Sequence, residues 1–162
     1  MIENKTKTLN KIIPDLKKLK HPLPSEPKLT FFEGINGCQK AYNSLLENDA
    51  EILEFGAHLD LVEKLGKDFM KNFINERKKK KIYLQAISED NQVHKALQKL
   101  DNKQLRKIKL YDKKLGHIYS SIAIKENKVL LLNLYQDPFA IMIENSQVAE
   151  TLKTIFRIGL GS

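Results

Sequence analysis

Lys28-Leu-Thr-Phe-Phe-Glu-Gly-Ile-Asn-Gly-Cys-Gln-Lys40 is the stretch on which the fold turns. It reads as a strand, a glycine corner and a capped helix. Leu29, Phe31 and Phe32 suit a pleated, half-buried strand. Gly34 and Gly37 bracket a turn that needs backbone freedom. Asn36 is a good N-cap, and Gln39 three residues on can close a capping box.

Working outward toward the C-terminus, strands and helices alternate. A helix over about 36–48 leads to a short strand at 51–56 that ends in glycine. Asp60 and Glu63 form a second capping box. Val62, Leu65, Phe69 and Phe73, with Met70 and Ile74, make one helical stripe to Lys78, weakened slightly by Gly66. Ile82 to Ile87 is a compact apolar run, expected as a buried strand. A short helix with Val93, Ala96, Leu97 and Leu100 follows, then a strand at 107–111. Segments 117–124 and 128–135 read as a hairpin around Glu126-Asn127, and Asp137-Pro138 turns the chain again. Phe139 to Ile143 is the last strand. Asn145 or Ser146 caps a final helix carrying Val148, Leu152, Ile155 and Phe156, with Gly159 as its stop. This order predicts an α/β fold, a mixed β-sheet flanked by helices.

Toward the N-terminus, Ile2, Leu9, Ile12, Leu16 and Leu19 follow an a/d-like spacing, interrupted by Pro14. A lone helix this short is marginal in water, so it needs a surface to pack on. Residues 1–20 are therefore expected to form a linker or dimerisation helix, 21–28 a proline-rich linker, and 29–160 the α/β domain.

Size and composition narrow the class. The 162 residues suffice for one domain with a real core. No apolar run approaches the roughly 20 residues of a membrane-spanning helix, and the first residues lack the apolar core of a signal peptide. The single cysteine, Cys38, has no internal partner and fits a reducing cytoplasm. It falls in the first turn of the predicted helix, where the dipole would lower its pKa, but a small buried residue is the favoured reading. The four histidines lack zinc-ligand spacing, so no metal and no cofactor is expected. The net charge of +8 favours an anionic partner, yet the lysines are scattered and the aromatics few, unlike a single-strand stacking platform. The densest run, Arg77-Lys-Lys-Lys-Lys81, is read as cations favoured at a helix C-terminus.

The order of elements resembles the C-terminal effector domain of the TrmB family of transcriptional regulators. The matching stretches are Ile13 to Leu19, Pro27 to Gly37, Glu51 to Gly56 and Phe139 to Asn145 with the helix through Phe156. The Pro-x-x-x-Phe-Phe-Glu-Gly-x-x-Gly pattern is the most specific piece. The resemblance implies a phospholipase-D-like fold with an N-terminal linker or dimerisation helix. It also implies a homodimer that senses a small molecule, with sugars among the candidates. No helix-turn-helix with a wing is present, so DNA contact is expected only through a module missing from this chain.

Active members of the phospholipase-D-like superfamily use His-x-Lys-x-x-x-x-Asp. Started at His117, that pattern meets Tyr119 and Ile124 at the lysine and aspartate positions. A nucleophilic histidine needs an electrophilic clamp on the phosphoryl oxygens, so the expectation is a non-enzyme. The alternatives are a phospholipase-D-like phosphodiesterase or nuclease, and a basic domain that binds nucleic acid directly. Strand-end residues are the candidate ligand contacts, because pockets of α/β domains collect there: Glu33, Asn36, His58, Ser88 and Asp90. A cap or turn role competes for Glu33 and Asn36, and a helix cap explains Ser88 and Asp90 equally well.

Overall fold

The computed structural model describes residues 26–161 apart from Ala57, with His58, Leu59 and Asp60 described by backbone alone. The helix expected over 1–20, its apolar residues Ile2, Leu9, Ile12, Leu16 and Leu19, and most of the proline-rich linker lie outside the described residues.

Seven strands make one mixed sheet, as the alternating pattern predicts. They are β1 (Lys28–Glu33), β2 (Ile52–Phe55), β3 (Leu84–Glu89), β4 (Arg106–Tyr111), β5 (Ser121–Lys125), β6 (Lys128–Asn133) and β7 (Phe139–Glu144). Their spatial order is β1-β7-β6-β5-β2-β3-β4. β2, β3 and β4 run parallel, while β1, β7, β6, β5 and β2 are joined by antiparallel pairings. The helices are α1 (Gly34–Asn43), α2 (His58–Leu65), α3 (Lys67–Lys79), α4 (Gln92–Gln98) and α5 (Ser146–Leu160). Helices α2 and α3 connect β2 to β3, and α4 connects β3 to β4, the helical crossovers that parallel strands require.

The period-2 alternation of each strand sends side chains to two faces. One face presents Ile52, Leu84, Ile108, Ala123, Leu130 and Met142 to Tyr42, Leu61, Leu65, Met70 and Phe73 of the helices. The other presents Leu53, Ile87, Ile124 and Val129 to α5, whose Ala149 and Phe156 are fully buried. Phe156 meets Phe55 edge to face at 5.1 Å. A buried phenylalanine or leucine of this kind contributes about 1.5–3 kcal/mol. Beyond the cover of α5, Leu29 and Phe31 of β1 remain 67% and 57% exposed. Phe31 stacks on Phe139 of β7 at 5.7 Å.

The structure corrects the opening turn. Helix α1 begins at Gly34, so Glu33 is its N-cap, with no side-chain cap bond, and Asn36 lies inside the helix. The cause is the Gly34 corner. Its φ of +68° is readily available only to glycine, and its N–H donates to the Pro138 carbonyl at 2.8 Å. That bond turns the chain two residues before Asn36. Gly37 serves close packing instead: a Cβ there would lie 3.2 Å from the Phe32 backbone.

Gly66 also does more than weaken a helix. With φ +99° it separates α2 from α3, so the predicted single helix is two. The last helix runs past Gly159 to Leu160 and is capped by Gly161 in the left-handed region, while Asn145 accepts from the Val148 N–H as expected of the N-cap. Cys38 is fully buried in the middle of α1 rather than in its first turn, and burial pushes its thiol pKa up.

The basic run after α3 is divided among different tasks. Arg77 is buried and donates to the carbonyls of Ile82 (2.7 Å), Leu105 (2.8 Å) and Gln104 (2.5 Å). Lys79 pairs with Glu76, and Lys80 donates to the Leu46 carbonyl. Lys125, buried at the far end of β5, donates to the carbonyls of Leu45 and Asn48, and burial lowers its pKa.

Candidate functional site

The strand directions place one group of strand ends along a single edge of the sheet. The C-termini of β1, β2, β3, β4 and β6 lie there, beside the N-termini of β5 and β7. Between β2 and β5 the parallel run gives way to antiparallel pairing, the kind of place where α/β sheets leave a crevice.

Beneath this edge sits a buried carboxylate. Glu54, on β2 between Leu53 and Phe55, is 2% exposed and faces the helix-covered side. The Ser121 hydroxyl donates to it at 2.7 Å, and the Tyr42 hydroxyl approaches both carboxylate oxygens at 3.3 Å. Burial pushes its pKa up; the Ser121 and Tyr42 hydrogen bonds and the positive charges of Arg77 and Arg106 oppose that shift in part. Gly56 makes room for the pair, since a Cβ there would come within 3.2 Å of Ser121 Oγ. Nothing in the hydropathy pattern singles out Tyr42 or Ser121. Glu54 does leave a trace, as an acidic residue inside an otherwise apolar strand.

Two buried polar atoms near the end of β3 have no hydrogen-bond partner. One is Ser88 Oγ, two residues beyond Ala86, the register partner of Glu54. The other is Nε2 of His94 in the first turn of α4. His94 Nδ1 donates to the Glu89 carbonyl at 2.7 Å, since a carbonyl can only accept, and Nε2 has no partner. Buried polar groups without protein partners are uncommon, and water or a ligand is the usual complement.

At the same sheet edge, the ends of β3 and β4 enclose a concavity of about 570 Å³ whose lining includes Asp90, Gln92, Lys95, Tyr111, Asp112 and Lys114. The volume is that of a small-molecule site. Asp90 pairs with Lys95 at 2.8 Å across its rim. On its outer side Glu89 accepts from or pairs with His117 Nδ1 at 2.7 Å. The His117 ring meets Tyr119 edge-on at 4.6 Å, and Tyr119 meets Tyr135 at 6.0 Å. His117 thus has an orienting carboxylate. Two residues on stands an exposed tyrosine, and Ile124 seven residues on is fully buried.

The five residues expected to contact ligand do not form one cluster. Ser88 and Asp90 fall together at the end of β3. Glu33 lies at the end of β1, beside a separate concavity of about 320 Å³ lined by Phe31, Gly34, Asp137, Pro138 and Phe139. Five inter-strand steps separate β1 from β3, about 24 Å at ~4.8 Å per step. Asn36 follows Glu33 in α1. His58 opens α2, and its side chain lies outside the described part. Among the described residues, no three histidine, cysteine, aspartate or glutamate side chains are grouped to hold a metal ion, and no helix is long and apolar enough to cross a membrane.

Comparison with known proteins follows the same lines. No protein-family model and no curated protein matches the sequence. Among solved structures the chain is similar to TrmBL2, an archaeal chromatin protein whose structure shows a novel mode of DNA binding. The TM-score is 0.53 at 13% identity, over 98% of this chain and 62% of that one. It is also similar to NucT from Helicobacter pylori, with a TM-score of 0.56 at 19% identity, over 85% of this chain and 98% of that one. The chain therefore spans less than two thirds of the TrmBL2 chain. At these identities the likeness is one of fold, and the fold is TrmB-like: a seven-stranded mixed sheet flanked by helices.

Proposed function

We propose that this chain is the ligand-sensing and dimerising effector domain of a TrmB-like, cytoplasmic transcriptional regulator whose DNA contact lies outside these 162 residues. The observation that carries the reading is the polar concavity at the ends of β3 and β4 on a TrmB-like fold. Its rim mixes donors and acceptors: the lysines donate, Asp90 and Asp112 accept, and Gln92 does both. That mixture suits a small polyhydroxyl molecule such as a sugar. The apolar spacing of Ile2, Leu9, Ile12, Leu16 and Leu19 supports a homodimer, as do exposed Leu29 and Phe31 on edge strand β1. A ligand acts on such a dimer only by binding one arrangement better than another.

A thermal-shift panel of mono- and disaccharides on the full chain tests the sensing role. A ligand at ~100 times its dissociation constant adds about 2.7 kcal/mol of stability. One or more sugars should raise the melting temperature, and Asp90→Ala should remove the shift. A flat panel overturns the sugar reading. Sedimentation velocity of the chain and of a Leu9→Asp/Leu16→Asp variant tests the dimer; equal mass for both rules out the N-terminal spacing as its basis.

One observation favours a second reading, a phospholipase-D-like phosphodiesterase or nuclease. His117 is oriented by Glu89, and the fold likeness extends over nearly all of the NucT chain. The lysine and aspartate expected with such a histidine are absent from its spacing. Hydrolysis of DNA or of a phosphodiester ester that disappears in His117→Ala would establish this reading over the first.

A further inference from the structure

The basic run Arg77-Lys-Lys-Lys-Lys81 leaves the ammonium groups of Lys78 and Lys81 over once its side-chain contacts are assigned, and of these two Lys78 lines a cavity. Arg77 is buried in a cluster of carbonyls, Lys79 holds Glu76, Lys80 holds the Leu46 carbonyl, and Lys81 occupies a turn at φ +57°. Lys78 has none of these roles. It stands over a trough of about 470 Å³ between α3 and the α4–β4 connection, which shares no lining residue with the strand-end concavity. Lys67 and Lys71 stand on the same rim, and Lys103, from the turn that follows α4, stands on the facing one.

No described carboxylate lies within ion-pair distance of any of these four ammonium groups. Folding therefore gathers four unneutralised cations around one depression. Between the lysines its lining is mostly apolar: Met70 and Ile74 from α3 face Leu97 and Leu100 from α4 and the turn after it, with Asn75 and Gln104 as the polar members. Leu100 is 39% exposed, a large aliphatic group left at the surface where the trough is open.

The geometry points to a docking groove for an acidic amphipathic helix of a partner protein, seated between α3 and the α4–β4 connection. The placement of charge selects this occupant. From Lys67 to Lys78 the rim extends eleven residues of helix, about 16 Å at 1.5 Å per residue. A head-and-tail amphiphile concentrates its charge at one end and would leave most of that rim unused. An acidic helix lying along the groove carries carboxylates at one-turn intervals. These match Lys67 and Lys71, which are one turn apart, and it inserts aliphatic anchors between them. Nucleic acid would satisfy the charges but not the floor, which offers methionine, isoleucine and leucine and no aromatic surface for a base to stack on. Flexible methionine and leucine side chains are well suited to accepting anchors of varied shape. The basic N-terminal segment of this chain is excluded as occupant by like charge, since it carries Lys5, Lys7, Lys11, Lys17, Lys18 and Lys20.

The test is fluorescence anisotropy with the full chain. The probe is a labelled 18-residue peptide with leucine at i, i+3, i+4 and i+7 and glutamate on both flanks. A scrambled peptide of the same composition and a 12-base-pair duplex serve as comparisons. The patterned peptide should bind at least tenfold more tightly than the scrambled one. Lys71→Glu/Lys78→Glu should weaken it at least tenfold, and Ile74→Asp should do so with the lysines intact. Lys40→Glu/Lys107→Glu, equal in charge change but outside both concavities, should leave it within twofold. Equal binding of patterned and scrambled peptides overturns the proposal, because charge alone would then account for it. So does tighter binding of the duplex that Lys71→Glu/Lys78→Glu abolishes, which would make the groove a nucleic-acid contact. Absence of peptide binding also overturns it.

Discussion

Ser121→Ala removes one hydroxyl and tests whether the carboxylate beneath the candidate site is held as described. Ser121 is 4% exposed and Glu54 2%, so water cannot replace the lost donor without entering the core. The bond is 2.7 Å, short and aimed at an ionisable oxygen. Hydrogen bonds to charged groups contribute about 1.5–3 kcal/mol, and neutral ones about 0.5–1.5. At neutral pH the substitution should therefore cost about 2 kcal/mol if Glu54 is ionised. Tyr42 remains, but at 3.3 Å it is the weaker donor. In a Glu54→Gln background the amide oxygen still accepts from Ser121 without charge, so the same substitution should cost about 1 kcal/mol. The coupling in the double-mutant cycle is then about 1 kcal/mol, within reach of urea denaturation. Because the Ser121 bond stabilises the ionised form, the cost of Ser121→Ala should be largest above the folded pKa of Glu54 and shrink below it. Equal losses in both backgrounds at all pH values would refute a charged Glu54 held by Ser121.

Three further outcomes follow from groups already described. Glu54 has its pKa raised in the folded state, so its contribution to stability is fully present below the ordinary glutamate pKa and is lost as pH rises through the folded one; Glu54→Gln should flatten that fall in denaturation curves from pH 4 to 8. Arg77→Ala should cost about 3–5 kcal/mol, since it removes the donor to three carbonyls that tie the end of α3 to the starts of β3 and β4, leaving those of Ile82 and Gln104 unpartnered; a loss under 1 kcal/mol in urea melts would contradict that role. Cys38, buried and with its pKa pushed up, should react with a thiol reagent only at the rate of unfolding, and a fast reaction in native buffer would place it at the surface.

Much of the sheet was legible in the sequence because both of its signals are local. Period-2 runs such as Phe139–Ile143 and the Glu126-Asn127 turn need no tertiary information, and each strand appears within a few residues of its expected place. The misplaced boundaries share one cause. At Gly34 and Gly66 the backbone takes a positive φ that a distant contact or a change of helix direction demands. Propensity sees a glycine there but not the Pro138 carbonyl that fixes the turn. The site was less legible. The strand-end rule brought Ser88 and Asp90 to the right edge, yet it also selected Glu33, because spatial strand order is not written in chain order. Tyr42, Ser121 and His94 were invisible for a related reason. A tyrosine, a serine and a histidine acquire meaning only when folding buries them beside Glu54 or leaves their polar atoms unpartnered.

The most direct test of the central claim is to map the bound position of whichever sugar gives the largest thermal shift, by amide chemical shifts of the full-length chain. The account predicts perturbations concentrated at residues 90–95 and 110–114, around the strand-end concavity. Perturbations confined to residues 31–34 and 137–139, to the α3 trough, or to no contiguous surface would contradict it.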